Sequence, residues 1–199
     1  MQSRGDPAFF FMRRLRLAAA AMLVALAAAC SPRFDWREVA QPSAGYVVAL
    51  PDKPQTAVRE IAFDHPGGPV RAEMTMLSTG VGESLFAVGT VRLPSFAVES
   101  QSALVATLAW FSDGLLRNVQ ASSATLADAA PPPGVGMRTL RSARAFVVSG
   151  KVADGRPARL AVRLYVVDDR LFQLVALGAE GEIPPLALET FFDSFRLTP

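Results

Sequence analysis

The chain has 199 residues and a formal net charge of +2. Residues 1–29 hold four of the 20 Lys and Arg residues and one of the 18 Asp and Glu residues, so the remaining 16 basic and 17 acidic residues give residues 30–199 a net charge of −1. A near-neutral chain lacks the basic surface that nucleic-acid binding requires, and its length suits one domain with a substantial core.

Residues 12–30, MRRLRLAAAAMLVALAAAC, have the layout of an export signal. Three arginines precede an uncharged apolar run from Leu17 to Ala29, which ends in small residues. As a helix, these 13 residues would span only about 20 Å at ~1.5 Å each, whereas a membrane-spanning helix covers roughly 30 Å. We therefore expect residues 1–29 to be a removed signal peptide, with Met12 as a candidate for the true start.

The sequence Ala28-Ala29-Cys30 resembles the signal of bacterial lipoproteins, in which a small residue precedes a cysteine that is acylated. The match departs at Ala27, where that family most often has Leu. The resemblance implies a lipid anchor on Cys30, and Ser31, where some bacteria read Asp as an inner-membrane signal, implies the periplasmic face of the outer membrane. The alternative is a plain secretory signal, which would leave a free thiol in an oxidising compartment.

Residues 30–44 show no sustained period, and we expect them to be a lipid-attached tether before a single domain of residues 45–199. Trp36 in this segment either docks on the domain or lies at the membrane interface. Short apolar or alternating runs between turn residues then predict antiparallel strands. These runs cover residues 45–50, 58–63, 70–77, 83–93, 140–150, 159–167 and 171–178.

Two segments have helical patterns. Apolar residues from Leu104 to Val119 recur at spacings of three and four, which predicts a helix over about residues 98–119, capped by Ser95 or Ser100. Pro184 and Pro185 open a second helix over residues 185–194. Its apolar side chains are expected against the sheet: Leu188, Phe191, Phe192 and Phe195.

The last two long strands suggest a candidate partner surface. A three-residue loop at residues 168–170 would place six apolar side chains on one core face, in the pairs Val166 and Phe172, Leu164 and Leu174, and Val162 and Ala176. The opposite, less apolar face would then present Arg163, Tyr165 and Gln173 to a protein partner.

Together these elements predict an α+β fold, with an antiparallel sheet of about six or more strands packed with a central helix and a short C-terminal helix. The element order, a strand ending in Leu93-Pro94 and the terminal Phe192-Asp193-Ser194-Phe195 resemble the Mog1/PsbP-like sandwich. That family mostly binds proteins or supports assemblies, but a fold alone does not transfer a function. The chain is also similar to small uncharacterised proteobacterial lipoproteins at residues 36–38 and 50–51.

Few residues offer catalytic or metal-binding chemistry. His65, the sole histidine, lies in a Pro/Gly turn that we expect to be exposed, and one His with one Cys cannot form a zinc site. Asp168-Asp169 and the Glu180/Glu182 pair lack the spacing of a calcium loop. Residues 80–82, Gly-Val-Gly, are expected to form a turn. We therefore predict no catalytic residue, metal or cofactor.

The resulting functional prediction is a non-enzymatic, lipid-anchored periplasmic module that binds or supports an envelope protein. One alternative is a lipid-tethered hydrolase, which requires a nucleophile beside a base. The other is a carrier of an apolar ligand between the sheet and the helix, for which an apolar cavity would be the sign.

Overall fold

Strands dominate the molecule and form two separate sheets. The computed structural model describes residues 33–199, and Phe34–Pro199 form one compact unit. The signal segment and Cys30, with the predictions made for them, lie outside the described residues.

The smaller sheet has three strands in the order β1-β2-β10. These are β1 (Arg37–Gln41), β2 (Tyr46–Leu50) and β10 (Arg196–Leu197), all paired antiparallel. The central strand β2 is almost entirely buried, and Pro51 ends it because proline cannot donate to a strand ladder.

The larger sheet has seven strands in the order β3-β4-β5-β9-β8-β7-β6, again with antiparallel pairing throughout. Gly68 and Gly82 adopt positive φ, which glycine tolerates, in the tight turns that join β3 to β4 and β4 to β5. The strands are β3 (Gln55–His65), β4 (Gly68–Val81), β5 (Ser84–Arg92), β6 (Ala127–Asp128), β7 (Leu140–Lys151), β8 (Pro157–Val167) and β9 (Arg170–Ala179).

Two α-helices occur in the described residues, close to their predicted positions. Helix α1 (Gln101–Asn118) follows a 3₁₀ turn at Ser95–Ala97, and Ser100 caps it by accepting a hydrogen bond from the Ala103 backbone N–H at 3.1 Å. Helix α2 (Pro185–Ser194) begins with proline at its first position.

The large sheet separates two hydrophobic cores. One face packs with α1 and forms the helix-side core, which includes Leu104, Leu108 and Phe111. The other face packs with α2 and the small sheet and forms the second core, which includes Phe172 and Phe191. The side chains of each long strand therefore alternate between two apolar environments, which explains why β8 and β9 are apolar almost throughout.

The predicted α+β class is wrong. The described residues 33–199 are mostly β, with 49% strand in two antiparallel sheets of three and seven strands, and they do not form a central helix packed on one sheet of about six strands. Sequence periodicity missed β6 and β10 because two residues cannot show a period. It missed β1 because this strand is mostly exposed and does not alternate.

The segment expected to be a tether belongs to the folded unit from Phe34 onwards. The Trp36 ring meets the Phe86 ring edge-on at 6.0 Å, and Phe34 stacks on Trp36 at 5.9 Å between ring centroids. Of the two alternatives for Trp36, the described residues thus show docking on the domain.

The predicted register of β8 and β9 is also wrong, by one residue. The connecting turn has two residues, Asp168 and Asp169, rather than three, so Val167 pairs with Arg170. Asp168 makes this short turn possible because it adopts the left-handed conformation at φ 54°. Since side chains alternate along a strand, the shift moves every side chain of β9 to the other face relative to β8.

Candidate functional site

The corrected register separates the three residues of the predicted partner surface. Tyr165 is buried in the second core and stacks on Phe195 at 5.7 Å. Arg163 lies over the Phe192 ring at 4.9 Å and pairs with Asp193 of α2 at 2.9 Å. Gln173 points to the opposite face, towards α1. These residues therefore do not form one exposed surface.

His65 is buried rather than exposed. Its Nδ1 accepts a hydrogen bond from the Gly67 backbone N–H at 3.0 Å, so the neutral ring carries its proton on Nε2 and donates to the Ala103 carbonyl oxygen at 3.1 Å. Both ring nitrogens are thus occupied in holding the β3–β4 turn against α1, which leaves neither available as a base in this arrangement.

The remaining candidates lie in turns or at strand ends. Of residues 80–82, which were expected to form a turn, Gly80 and Val81 are the last residues of β4, and only Gly82 lies in the β4–β5 turn. Within residues 33–199, no group of three or more His, Cys, Asp or Glu residues could hold a metal ion. No helix in the same range is both long and apolar enough to cross a membrane.

An apolar cavity lies between α1 and the large sheet and is here called the helix pocket. Its volume is about 270 Å³, just under the range of roughly 300–1,000 Å³ typical of ligand sites. The lining is almost entirely apolar or aromatic: Ile61, Met74, Met76, Leu85, Ala87, Trp110, Phe111, Leu115, Leu160, Val175 and Leu177, together with Gly114, Arg59, Asn118 and Gln173.

Two glycines lie near this space. On the sheet, Gly89 lets the side chain of Met74, a pocket residue, pack over the strand, because the terminal methyl of Met74 lies where a Cβ would be. On the helix, Gly114 lines the pocket, and the nearest atom to an added Cβ would be Arg117 Nη2 at 3.7 Å. Since a glycine inside a helix costs roughly 1 kcal/mol relative to alanine, its position at this cavity suggests that the space has a use.

Gln173 supplies a polar group inside the pocket. It lies in the middle of β9, directly opposite Gly89, and only 7% of it is exposed. No hydrogen bond joins its side-chain amide to another of residues 33–199. The amide is not fully enclosed where it lines the pocket, so Gln173 offers a donor and an acceptor to a molecule there.

Arg59 lies at the other end of the sheet surface that lines the helix pocket. It lies on β3 beside Met74 and on the same sheet face as Ile61. Its guanidinium has no ion-pair partner in the described part of the chain. Arg59 and Gln173 lie three strands apart, about 14 Å at ~4.8 Å per strand, so the pocket is elongated across the sheet.

A larger groove of about 660 Å³ runs between α1 and β7. Its charged side chains already have partners, since Arg144 pairs with Asp128 and Arg141 Nε donates to the Asp168 carbonyl oxygen at 2.7 Å. It therefore presents a mixed surface of already paired charges, whereas the helix pocket has a mostly apolar lining with the Gln173 amide, and the helix pocket is the better candidate for a small-molecule site.

The sequence matches no protein-family model and has no significant match among curated proteins. Two sequence signals could have pointed to the helix pocket: a polar Gln173 inside the apolar run of β9, and Gly114 inside an amphipathic helix. Neither signal shows from sequence alone that the two residues line one cavity.

Proposed function

We propose that this protein is a lipid-anchored binding module of the bacterial cell envelope that holds a small, elongated apolar molecule with one polar end. The observation that carries the proposal is the mostly apolar helix pocket with the Gln173 amide in its lining. Apolar walls with a few placed polar groups are the usual composition of ligand sites. The resemblance of residues 28–30 to a lipoprotein signal supports the anchor.

A pocket-filling variant tests the binding site. Leucine at position 114 would project into the helix pocket while improving helix propensity, so Gly114→Leu should fold and lose the space for a ligand. We expect it to bind 1-octanol and octanoate about tenfold or more weakly than wild type, measured by displacement of a fluorescent naphthylamine probe.

The matched control is Asp113→Leu, which adds the same side chain at an exposed neighbouring position outside the pocket lining. It should bind like wild type. Equal binding by Gly114→Leu and Asp113→Leu, or no saturable binding by wild type, would contradict the proposed site.

A second variant tests the polar end. Gln173→Leu replaces an amide that makes no hydrogen bond within residues 33–199 by an apolar side chain of similar size, which should leave stability unchanged or higher. Its affinity for 1-octanol should fall while its affinity for an alkane-like probe should not. An equal change for both probes would show that Gln173 does not contact the polar end.

The anchor is tested by mass spectrometry of the purified protein, which should begin at an acylated Cys30. An unmodified cysteine or cleavage elsewhere would contradict it. Membrane fractionation should place the protein in the outer membrane, on its periplasmic face, and recovery wholly in the inner membrane would count against this location.

The envelope protein partner stays a prediction, and crosslinking in the native envelope tests it. Variants of Arg163 and Tyr165 are unsuitable for that experiment because both side chains pack against the α2 segment. The hydrolase alternative would require a base other than His65, whose ring nitrogens are both engaged.

A further inference from the structure

Three arginines line a small hollow at the β8–β9 turn. The hollow has a volume of about 180 Å³ and is lined by Arg92, Arg138, Arg170 and the turn residues Asp168 and Asp169, together with residues of the β1–β2 turn. We call it the arginine hollow.

Its positive charge is only partly balanced. Arg92 and Arg170 are directly opposite each other in the β5–β9 ladder, an arrangement that is destabilising for like charges. Asp169 pairs with Arg92 at 3.3 Å, but these side chains are 45% and 69% exposed, so the pair contributes little. Asp168 instead accepts a hydrogen bond from the Thr139 backbone N–H at 2.9 Å.

Arg138 adds a buried donor that lacks an acceptor. Its Nη2 is buried and has no hydrogen-bond partner in the described part of the chain. Burial lowers the pKa of Arg170, the nearby Arg92 and Arg138 lower it further, and Asp169 opposes them. A guanidinium does not lose its proton in proteins, so all three arginines stay charged. What the hollow lacks is a hydrogen-bond acceptor for Arg138 Nη2.

The scaffold around the hollow is well held. Arg170 Nη1 donates to the Ser43 carbonyl oxygen at 3.0 Å. The Asp168 N–H donates to the Thr139 carbonyl oxygen at 2.8 Å, and the Asp169 backbone carbonyl oxygen accepts from the Leu93 N–H at 2.8 Å. The three arginines approach from three different segments. A tetrahedral oxyanion offers an oxygen to each direction, whereas a planar carboxylate has only two oxygens.

We propose that the arginine hollow binds a phosphoryl group through Arg138, Arg170 and Arg92. Guanidinium groups match phosphate because their rigid donor forks can bond two oxygens at once. The phosphoryl group belongs either to inorganic phosphate or to a phospholipid headgroup. This site is independent of the helix pocket.

Inorganic phosphate is the first probe, titrated into the full chain at constant ionic strength against chloride and followed by calorimetry. Arg138→Gln should bind phosphate about tenfold more weakly than wild type, because it loses a charge-assisted donor. Arg138→Lys, which keeps the charge without the fork, should fall in between. Arg71→Gln removes the same charge from an exposed position outside the hollow and should bind like wild type.

Urea midpoints in chloride establish that each variant is folded. Equal phosphate affinity in Arg138→Gln and Arg71→Gln, or no heat of binding beyond that of chloride, would overturn the proposal.

Vesicles distinguish the two sources of the phosphoryl group. The Cys30→Ser chain, which cannot be acylated, is co-sedimented with phosphatidylcholine vesicles with or without phosphatidic acid. Binding that requires phosphatidic acid, is competed by inorganic phosphate and is lost in Arg138→Gln identifies a lipid headgroup. Phosphate binding without vesicle binding identifies the free ion, and the absence of both overturns the site.

Discussion

At the scale of single residues, two polar side chains hold the second core together. Ser194, at the end of α2, accepts a hydrogen bond from the Ala49 N–H of β2 at 2.8 Å and donates to the Phe191 carbonyl oxygen at 2.8 Å. Tyr165 lies beneath the same helix end, stacked on Phe195. Both residues connect α2 to strands far away in the sequence.

Removing the Ser194 hydroxyl should be costly. Ser194→Ala leaves the Ala49 N–H without its acceptor, which should lower the free energy of unfolding by about 1–3 kcal/mol in urea denaturation. Thr190→Ala, which removes an exposed hydroxyl from the same helix, should change it by less than about 0.5 kcal/mol. Equal effects would show that the bridge to β2 contributes no stability.

Tyr165 should make the fold sensitive to alkaline pH. Burial raises its pKa above the ordinary 10.0, although Arg163 opposes the shift. Above pH 10 the unfolded chain ionises this phenol while the folded protein keeps it neutral, so stability present below that pH is lost as pH rises. Unfolding free energies measured between pH 8 and about pH 11 should therefore fall less in Tyr165→Phe than in wild type. Parallel curves would contradict this.

At the scale of elements, α1 combines a regular apolar stripe with one glycine, Gly114, which is less favourable inside a helix than other residues. The stripe includes Leu104, Leu108, Phe111 and Leu115, all buried in the helix-side core. Gly114 directly precedes Leu115 in the helix and lines the helix pocket. Its role is therefore in the space beside the helix rather than in the helix itself.

Alanine at this position should stabilise the protein. Gly114→Ala improves helix propensity, and its Cβ would meet only ordinary van der Waals contact, so the free energy of unfolding should rise by about 0.5–1 kcal/mol in urea. The methyl group should also weaken binding in the helix pocket slightly. Destabilisation would show that the backbone at this position depends on glycine.

At the scale of the whole molecule, one sheet serves two cores. Leu108 belongs to the core on the α1 side, and Phe172 belongs to the core on the side of α2 and the small sheet. The backbone of the large sheet lies between them. Each core is therefore expected to contribute to stability with little direct contact with the other.

Truncation in either core should be strongly destabilising. Leu108→Ala and Phe172→Ala should each lower the free energy of unfolding by about 2–5 kcal/mol, since both remove buried volume and leave a cavity. Because the two sites share no partners, the loss in the double variant should be close to the sum of the single losses. Unchanged urea midpoints would contradict both assignments, and strong non-additivity would contradict the separation of the cores.

Local patterns in the sequence were sufficient for most individual elements. The 3.6-residue spacing located α1, proline and glycine placed the turns around Gly68 and Gly82, and alternation found the long strands. These features depend on residues close together in the chain, where period and turn chemistry act directly. The order of the seven longer strands from β2 onwards that were predicted, and of the two helices, could therefore be read from the sequence by itself, whereas β1, β6 and β10 could not.

The fold class and the candidate sites depended on contacts between distant residues. The left-handed Asp168 shortened one turn and so reversed which face carries Gln173, while β10 exists only because β2 provides its partner. Gln173 and Gly114 are on different elements and line one cavity only when α1 lies across the sheet. Only the tertiary structure decided these features, because register and packing are set by pairing across the fold, whereas periodicity reports only which faces are apolar.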